Sequence, residues 1–381
     1  MHKKTAFRIA FVANTAWNLW NFRHSLLEML GNDEFELVCL APEDGFQEKL
    51  RGIKNLRFIP LKHLSRKSLS PFGNLQTLRE IAGMLRREKP DLAIFYTVKP
   101  NIFGSLAARL AGIPAVASVE GMGYAATASP FLGRLIFALY RLAFRFVKKV
   151  VFLNHDDQAE FLRRSIVPIH KTLVIKGTGV DINYFRPTKE SVQSSVFLYI
   201  GRLLSDKGIR EFVQAARQVK ENATEARFQI LGSPDADNPA SIEPEELRHW
   251  VENQQIEYLG QTDDVRPFIA RASVVVLPSY REGMPRALLE GMAMGKPVIT
   301  TDSVGCRDTV EEGKNGFIVP SENAEALASA MSRFLQLSPE VQDAMGRHSR
   351  QKAVAEFSNE TVLPQYRQLL LDTLLEANKS R

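Results

Sequence analysis

Short, unbroken apolar runs recur along this chain, each followed by a stretch of helical spacing, and this alternation constrains the fold more than any other feature. In the first half the runs are Ile9–Val12, Leu37–Ala41, Leu56–Leu61, Leu92–Tyr96, Ala115–Val119, Val150–Leu153 and Leu173–Ile175. A strand that is apolar at consecutive positions is buried on both faces, which predicts a mostly parallel sheet with helices on either side. The polar stretch Thr188–Ser195 reads as a linker. The pattern then restarts with Val196–Ile200, Arg227–Leu231, Glu257–Leu259, Ser273–Leu277, Pro297–Thr301 and Gly316–Val319. At 381 residues the chain exceeds one ordinary core. Two doubly wound α/β domains of Rossmann-like type are therefore expected, residues 1–187 and 188–362, with the carboxyl ends of their strands facing a cleft.

Several classes drop out early. No stretch reaches the ~20 apolar residues that a spanning helix needs, and Phe7–Val12 is too short for a signal peptide. Cys39 and Cys306 fall in different halves without metal-ligand spacing, so they read as reduced thiols of a cytosolic protein. Charge is unevenly spread: residues 1–185 carry 26 basic against 15 acidic side chains, and residues 186–381 carry 23 against 28. The basic first half is the part suited to an acidic lipid or a diphosphate-bearing molecule. No nucleic-acid-binding motif accompanies that charge, so nucleic acid is not an expected partner.

The densest chemistry follows the run Ser273–Leu277. The segment Pro278–Glu290 reads as a tight Gly-containing turn into a helix opened by Pro285 at its first position, where a missing N–H costs nothing. First-turn N–H groups of such a helix make an anion site. Glu282 precedes the helix and Glu290 lies within it, seven residues intervening. Helix N–H groups for a diphosphate, together with two carboxylates for vicinal hydroxyls, describe a sugar nucleotide. Upstream, Gly201-Arg202-Leu203-Leu204-Ser205-Asp206-Lys207-Gly208 places a guanidinium and an ammonium in another strand-to-helix turn. A planar fork and a compact charge suit a pyrophosphate leaving group. The bland alternatives are solvated charges beside a helix start and ordinary N-terminal carboxylates.

Together these motifs resemble the donor site of GT-B glycosyltransferases of family 4, and the resemblance spans nearly the whole chain. It implies a UDP-sugar donor held by Gly201, Arg202, Lys207, Gly260, Glu282, Gly283, Met284, Pro285 and Glu290. In that picture Glu290 takes the ribose, Glu282 takes the sugar hydroxyls, and Arg202 and Lys207 stabilise the departing diphosphate without a metal or cofactor. No Asp-x-Asp carboxylate pair stands in a plausible metal loop; the only near match is Asp235-x-Asp237, in an expected surface loop. The first domain would bind the acceptor, completed by a C-terminal helix, 363–381. Its candidates are Asn21 and Arg23 in the segment Asn14–Arg23, then Lys99 and Asn101, then Glu120, Gly121 and Gly123, each group after a strand. The family's acceptor-side loop commonly carries glycines, whereas Trp17 and Trp20 stand there in this chain. Many relatives have a histidine near Glu120. Glu-Gly-x-Gly instead resembles bacterial enzymes that extend undecaprenyl-diphosphate-linked saccharides, among them N-acetylgalactosaminyltransferases acting on lipid-linked diacetylbacillosamine. Glu120 orients the acceptor hydroxyl, acts as a base, or is an N-cap carboxylate; the sequence leaves all three open.

The implied reaction is retaining transfer of a sugar, expected to be an N-acetylhexosamine, onto a lipid-diphosphate-linked saccharide. The alternatives are an epimerase or hydrolase of sugar nucleotides on the same fold and a catalytically silent nucleotide-sugar-binding protein. No acidic residue separates Glu120 from Asp156. A helix over Phe131–Val151 would gather Arg134, Arg141, Arg145, Lys148 and Lys149 on one face beside Phe137 and Phe144. A second acid-free stretch, Lys49 to Arg79, holds eight basic residues. Both suit anionic lipid, placing the protein peripherally on the inner face of a bacterial plasma membrane; a solvated helix face is the alternative.

Overall fold

The computed structural model describes residues 6–33, 35–65, 70–122, 130–188, 195–235 and 238–379. The chain divides into two compact units, Met1–Thr178 with Val362–Arg381, and Gly179–Thr361. The division falls ahead of the polar linker expected around Thr188, and residues 189–194 lie outside the described residues.

In the first unit β1 (Phe7–Val12), β2 (Phe35–Ala41), β3 (Leu56–Pro60), β4 (Leu92–Tyr96), β5 (Ala115–Val119), β6 (Lys149–Phe152) and β7 (Thr172–Val174) form one parallel sheet in the order β3-β2-β1-β4-β5-β6-β7. Ile9 is in register with Leu37 on one side and Leu92 on the other. Because successive side chains point to opposite faces, these strands feed two cores. Ala10, Val12, Phe95 and Ala117 pack on one face with helices Pro71–Glu88 and Pro130–Phe144. Ile9, Phe11, Ile94 and Val116 pack on the other with helix Ala16–Asn32 and with Leu363, Tyr366, Leu370 and Leu374 of helix Asn359–Lys379. The C-terminal helix is thus part of the first unit's core, and its Tyr366 hydroxyl donates to the Gly177 carbonyl at 3.1 Å.

In the second unit β8 (Val196–Ile200), β9 (Arg227–Leu231), β10 (Glu257–Tyr258), β11 (Val274–Leu277), β12 (Val298–Thr301) and β13 (Gly316–Val319) are ordered β10-β9-β8-β11-β12-β13, again parallel. Its core combines both strand faces with helices such as Ile209–Lys220, which buries Ile209, Phe212, Val213, Ala216 and Val219. In each sheet the strand order reverses once, between β1 and β4 and between β8 and β11. At such a switch point neighbouring connections leave in opposite directions and open a crevice at the strands' carboxyl ends.

The expected helix over Phe131–Val151 is corrected. It ends at Phe144, and Lys149 opens β6 in register with Val116. Arg134 and Arg141 remain on the helix, while Arg145, Lys148 and Lys149 lie beyond it. Phe137 and Phe144 do not flank the cations; they are buried against Phe161 and Tyr140. The exposed apolar side chains here are instead Phe131, Leu135, Leu142 and Phe146. No helix among the described residues is long and apolar enough to cross a membrane.

Candidate active site

The switch point of the second unit collects the expected donor residues. After β8 the chain passes through Gly201 and Arg202 into a 3-10 turn, Ser205–Lys207, closed by Gly208 at φ +69°. A Cβ on Gly208 would lie 2.0 Å from the Pro278 carbonyl oxygen, so only glycine lets this turn lie against the end of β11. The contact is reinforced by the Tyr280 N–H donating to the Asp206 carbonyl at 3.0 Å. It brings the loops after β8 and β11 together. The Lys207 ammonium then bonds Glu282 Oε1 at 2.6 Å, both side chains being 16% exposed.

The loop carrying Glu282 is held from its other side as well. Its N–H donates to the Val304 carbonyl at 3.0 Å. Gly305, at φ +78°, passes so close that a Cβ would meet the Glu282 and Gly283 carbonyl oxygens at 2.5 and 2.8 Å. Beneath it, the Thr300 hydroxyl donates to the Leu277 carbonyl at 2.7 Å and the Ser303 hydroxyl to the Ser279 carbonyl at 2.8 Å. Cys306 is wholly buried beside them, and burial, aided by the Glu282 charge, pushes its thiol up to about 11. At neutral pH it is therefore a neutral packing group.

Pro285 proves to be the N-cap of helix Arg286–Ala293 rather than its first residue, and no side chain caps that helix. Glu290, 8% exposed, accepts from Arg286 Nε at 2.6 Å. Burial raises its carboxyl above the usual range, while Arg286 opposes the shift. Gly291 allows the helix to pack on Val275, whose Cγ2 would lie 2.7 Å from an added Cβ. Arg202 turns outward to Asp235 Oδ2 at 3.0 Å. Gly260 ends the connection after β10 at φ +74°, its carbonyl accepting from the Gly232 N–H at 2.8 Å.

Sequence reasoning missed three members of this neighbourhood: Asp235 as the partner of Arg202, Arg286 as the partner of Glu290, and Glu211, which accepts from the Tyr280 hydroxyl at 2.7 Å. Asp235 follows β9, and its place in strand order was the available signal. Asp237 lies outside the described residues.

The first unit brings its candidates to its own switch point, with different exposures from those expected. Segment Asn14–Arg23 is not a loop: Thr15 caps helix Ala16–Asn32, its hydroxyl accepting from the Asn18 N–H at 3.0 Å. Asn21 points its amide to the Trp17 carbonyl at 3.1 Å. Arg23 is buried and paired with Glu120, the residue after β5. Lys99 reaches the Ser65 carbonyl at 2.6 Å, and burial lowers its pKa. Asn101 is also buried, donating to the Ser118 carbonyl at 2.8 Å, which ties the turn after β4 to β5. Gly121 takes φ +116°, and Gly123 lies outside the described residues. Glu120 and Lys99 thus keep partial access to solvent, whereas Arg23 and Asn101 are buried.

A family model described as Glycosyl transferase 4-like matches residues 8–154, and one described as Glycosyl transferases group 1 matches residues 194–337. The N,N'-diacetylbacillosaminyl-diphospho-undecaprenol alpha-1,3-N-acetylgalactosaminyltransferase of Campylobacter jejuni is 30% identical over 86% of this chain and 89% of its own length. The UDP-Gal:alpha-D-GlcNAc-diphosphoundecaprenol alpha-1,3-galactosyltransferase of Escherichia coli is 26% identical over 91% of this chain and 92% of its own. Among solved structures, the sucrose-phosphate synthase of Thermosynechococcus elongatus superposes with a TM-score of 0.83 at 19% identity, covering 97% of this chain and 100% of that one. HepE of Anabaena, in complex with UDP and glucose, gives 0.79 at 18% identity over 96% and 99%. At such identities the structural likeness is one of fold.

Proposed function

We propose, from the premise that this chain belongs to the GT-B glycosyltransferases, that it transfers an N-acetylhexosamine from its UDP-sugar to a lipid-diphosphate-linked saccharide with retention of anomeric configuration. The observation that carries this reading is the Lys207–Glu282 pair, seated where the strand order reverses and beside an uncapped helix N-terminus. The names of the Campylobacter and Escherichia relatives, both transferases acting on diphosphoundecaprenol saccharides, support the acceptor class, and the UDP complex of HepE supports the donor.

The side chains suit the chemistry. Breaking the sugar–phosphate bond builds negative charge on the departing UDP, and a fixed cation in a partly desolvated pocket stabilises that charge more than water does. Lys207 supplies the compact charge and Arg202, leaving Asp235, the fork. When the donor diphosphate takes Lys207, the Glu282 carboxylate is released to accept from sugar hydroxyls. Arg286 releases Glu290 to the ribose in the same way. The deciding experiment is a UDP-release screen of UDP-sugars against lipid-diphosphate saccharides. Release that needs a UDP-N-acetylhexosamine and a lipid-linked acceptor together supports the reading, and release without an acceptor would identify a hydrolase.

With cations and helix N–H groups facing the diphosphate, the reaction requires no divalent ion. Full turnover is expected in excess EDTA; loss restored by magnesium or manganese would overturn this account of the leaving group.

The lipid-linked acceptor places the first unit at an anionic membrane surface on the inner face of the plasma membrane. Its contact is the outer side of helix Pro130–Phe144 and the residues just beyond it. Phe131, 79% exposed, with Leu135, Leu142 and Phe146 supplies apolar insertion beside Arg134, Arg141, Arg145 and Lys148. Each cation near such a surface contributes about 1 kcal/mol, an attraction weakened by salt. The triple variant Phe131→Ser, Arg134→Glu, Arg145→Glu is expected to lose sedimentation with phosphatidylglycerol vesicles while still turning over a short water-soluble acceptor. Sedimentation equal to that of the unaltered protein would return this face to the solvent.

A further inference from the structure

A guanidinium stands where a helix facing a sheet ordinarily carries an aliphatic side chain. Arg23, in helix Ala16–Asn32, is 1% exposed. Its guanidinium lies 4.3 Å from the centre of the Tyr96 ring, Nη1 donates to the Phe22 carbonyl at 3.0 Å, and Nη2 is ion-paired with Glu120. A cation so far from water is tolerated when an anion and further acceptors surround it. Glu120, its side chain 16% exposed, meets Arg23 while keeping partial access to solvent.

Tyr96 and Tyr366 lie around Arg23, and burial raises both, so they are neutral at working pH. Among the described residues the cation paired with Glu120 is Arg23. Backbone strain marks the same place. Thr97, the first residue after β4, adopts φ +67°, a region β-branched residues avoid, and its buried hydroxyl has no partner among the described residues.

We infer that Arg23 is a positioning residue: it touches no substrate and acts through Glu120, keeping that carboxylate ionised and fixed so that it accepts a hydrogen bond from the acceptor hydroxyl. The inference rests on the reading of the first unit as the acceptor side. A partly buried carboxyl without a cation takes up a proton and becomes a donor, the wrong partner for a hydroxyl that must present its oxygen to the sugar. The planar fork also fixes the carboxylate's direction, which an ammonium at the same place would do less well.

The test is a double-mutant cycle with an infrared readout. Arg23→Met and Glu120→Gln should each lower kcat about 100-fold, the upper range of one general acid–base or orienting group, with the KM for UDP-sugar within about twofold. The double variant should be no slower than Glu120→Gln, because Arg23 has no other route to the reaction. Arg23→Lys, which keeps the charge, should recover part of the rate. Unchanged kcat in Arg23→Met, or a double variant slowed by the product of the two single effects, would overturn the inference.

Carboxyl protonation is measured separately on the same proteins. At neutral pH Arg23→Met should show, in difference against the unaltered protein, an added protonated-carboxyl infrared band that vanishes in the double variant. Absence of that band from folded Arg23→Met, or from Arg23→Gln should the Met variant not fold, overturns the inference. This readout decides the role of Arg23 even if no UDP-sugar and acceptor pair supports transfer, the outcome that would sink the proposed function alone.

Discussion

Lys207→Ala is expected to lower turnover at saturating UDP-sugar at least ~100-fold, the usual cost of removing one charge partner of a transition state. The lysine sits in a 3-10 turn whose position is fixed by Gly208 and by the Tyr280 N–H, so its ammonium is held before the donor arrives. In the structure that charge is paired with Glu282 at 2.6 Å. Its removal therefore has two consequences: the leaving diphosphate loses a cation, and a carboxylate that is 16% exposed loses its counter-charge. The second effect shows in the melting temperature, whereas the first shows in kcat and, because Lys207 also holds the bound donor's diphosphate, in the KM for donor. Lys207→Arg should recover little, because a fork cannot occupy the place of a compact ammonium in so tight a turn. A kcat for Lys207→Ala within twofold of the unaltered enzyme would remove Lys207 from the reaction.

Gly208→Val should be the most damaging change at a residue that offers no side chain to the substrate. At φ +69° a β-branched residue costs about 1–3 kcal/mol of backbone strain. Its Cβ would also fall 2.0 Å from the Pro278 carbonyl oxygen, which neither strand end can yield without moving. The turn must shift, carrying Lys207 away from Glu282, and a displacement of about 1 Å at a catalytic group can cost ~100-fold in rate. Gly313→Val is the matched control. Its φ is +74° and nothing lies within 4 Å of the added Cβ, so it should pay the strain and keep the activity. Denaturant midpoints and kcat measured on the pair separate strain from contact. Equal activities for the two variants would show that the close approach to Pro278 does not position Lys207.

Much of this was legible because parallel strands buried on both faces write themselves as continuous apolar runs. Val196–Ile200, Leu92–Tyr96 and Ala115–Val119 needed no partner to be recognised. The turns that carry the candidate donor residues were legible for a related reason, since Gly208 and Pro285 mark local backbone demands, although Pro285 caps its helix rather than opening it. What escaped detection depended on residues far away in sequence. Arg23 looks like an acceptor-facing residue until Glu120, at the end of another strand, is brought beside it. Asn101 looks like a ligand-facing amide until the Ser118 carbonyl claims it. Helix Pro130–Phe144 was overrun because Arg145, Lys148 and Lys149 continue its basic periodicity. Pairing of Lys149 with Val116, invisible in the local pattern, turns the chain into a strand.

The return of helix Asn359–Lys379 to the first unit has a consequence for how the molecule is made. During synthesis the segments Phe7–Val12 and Leu92–Tyr96 leave the ribosome ahead of the second unit, yet one face of their sheet is to be completed by Leu363, Tyr366, Leu370 and Leu374, which emerge only after it. The second unit, by contrast, is one continuous stretch, Gly179–Thr361, and holds all its own strands. Domains fold as units once their chain is available. The order of birth is therefore inverted: the unit encoded second can close its core first, while the one encoded first waits, with the face of Ile9, Phe11 and Ile94 covered only in part, until the second unit has been translated.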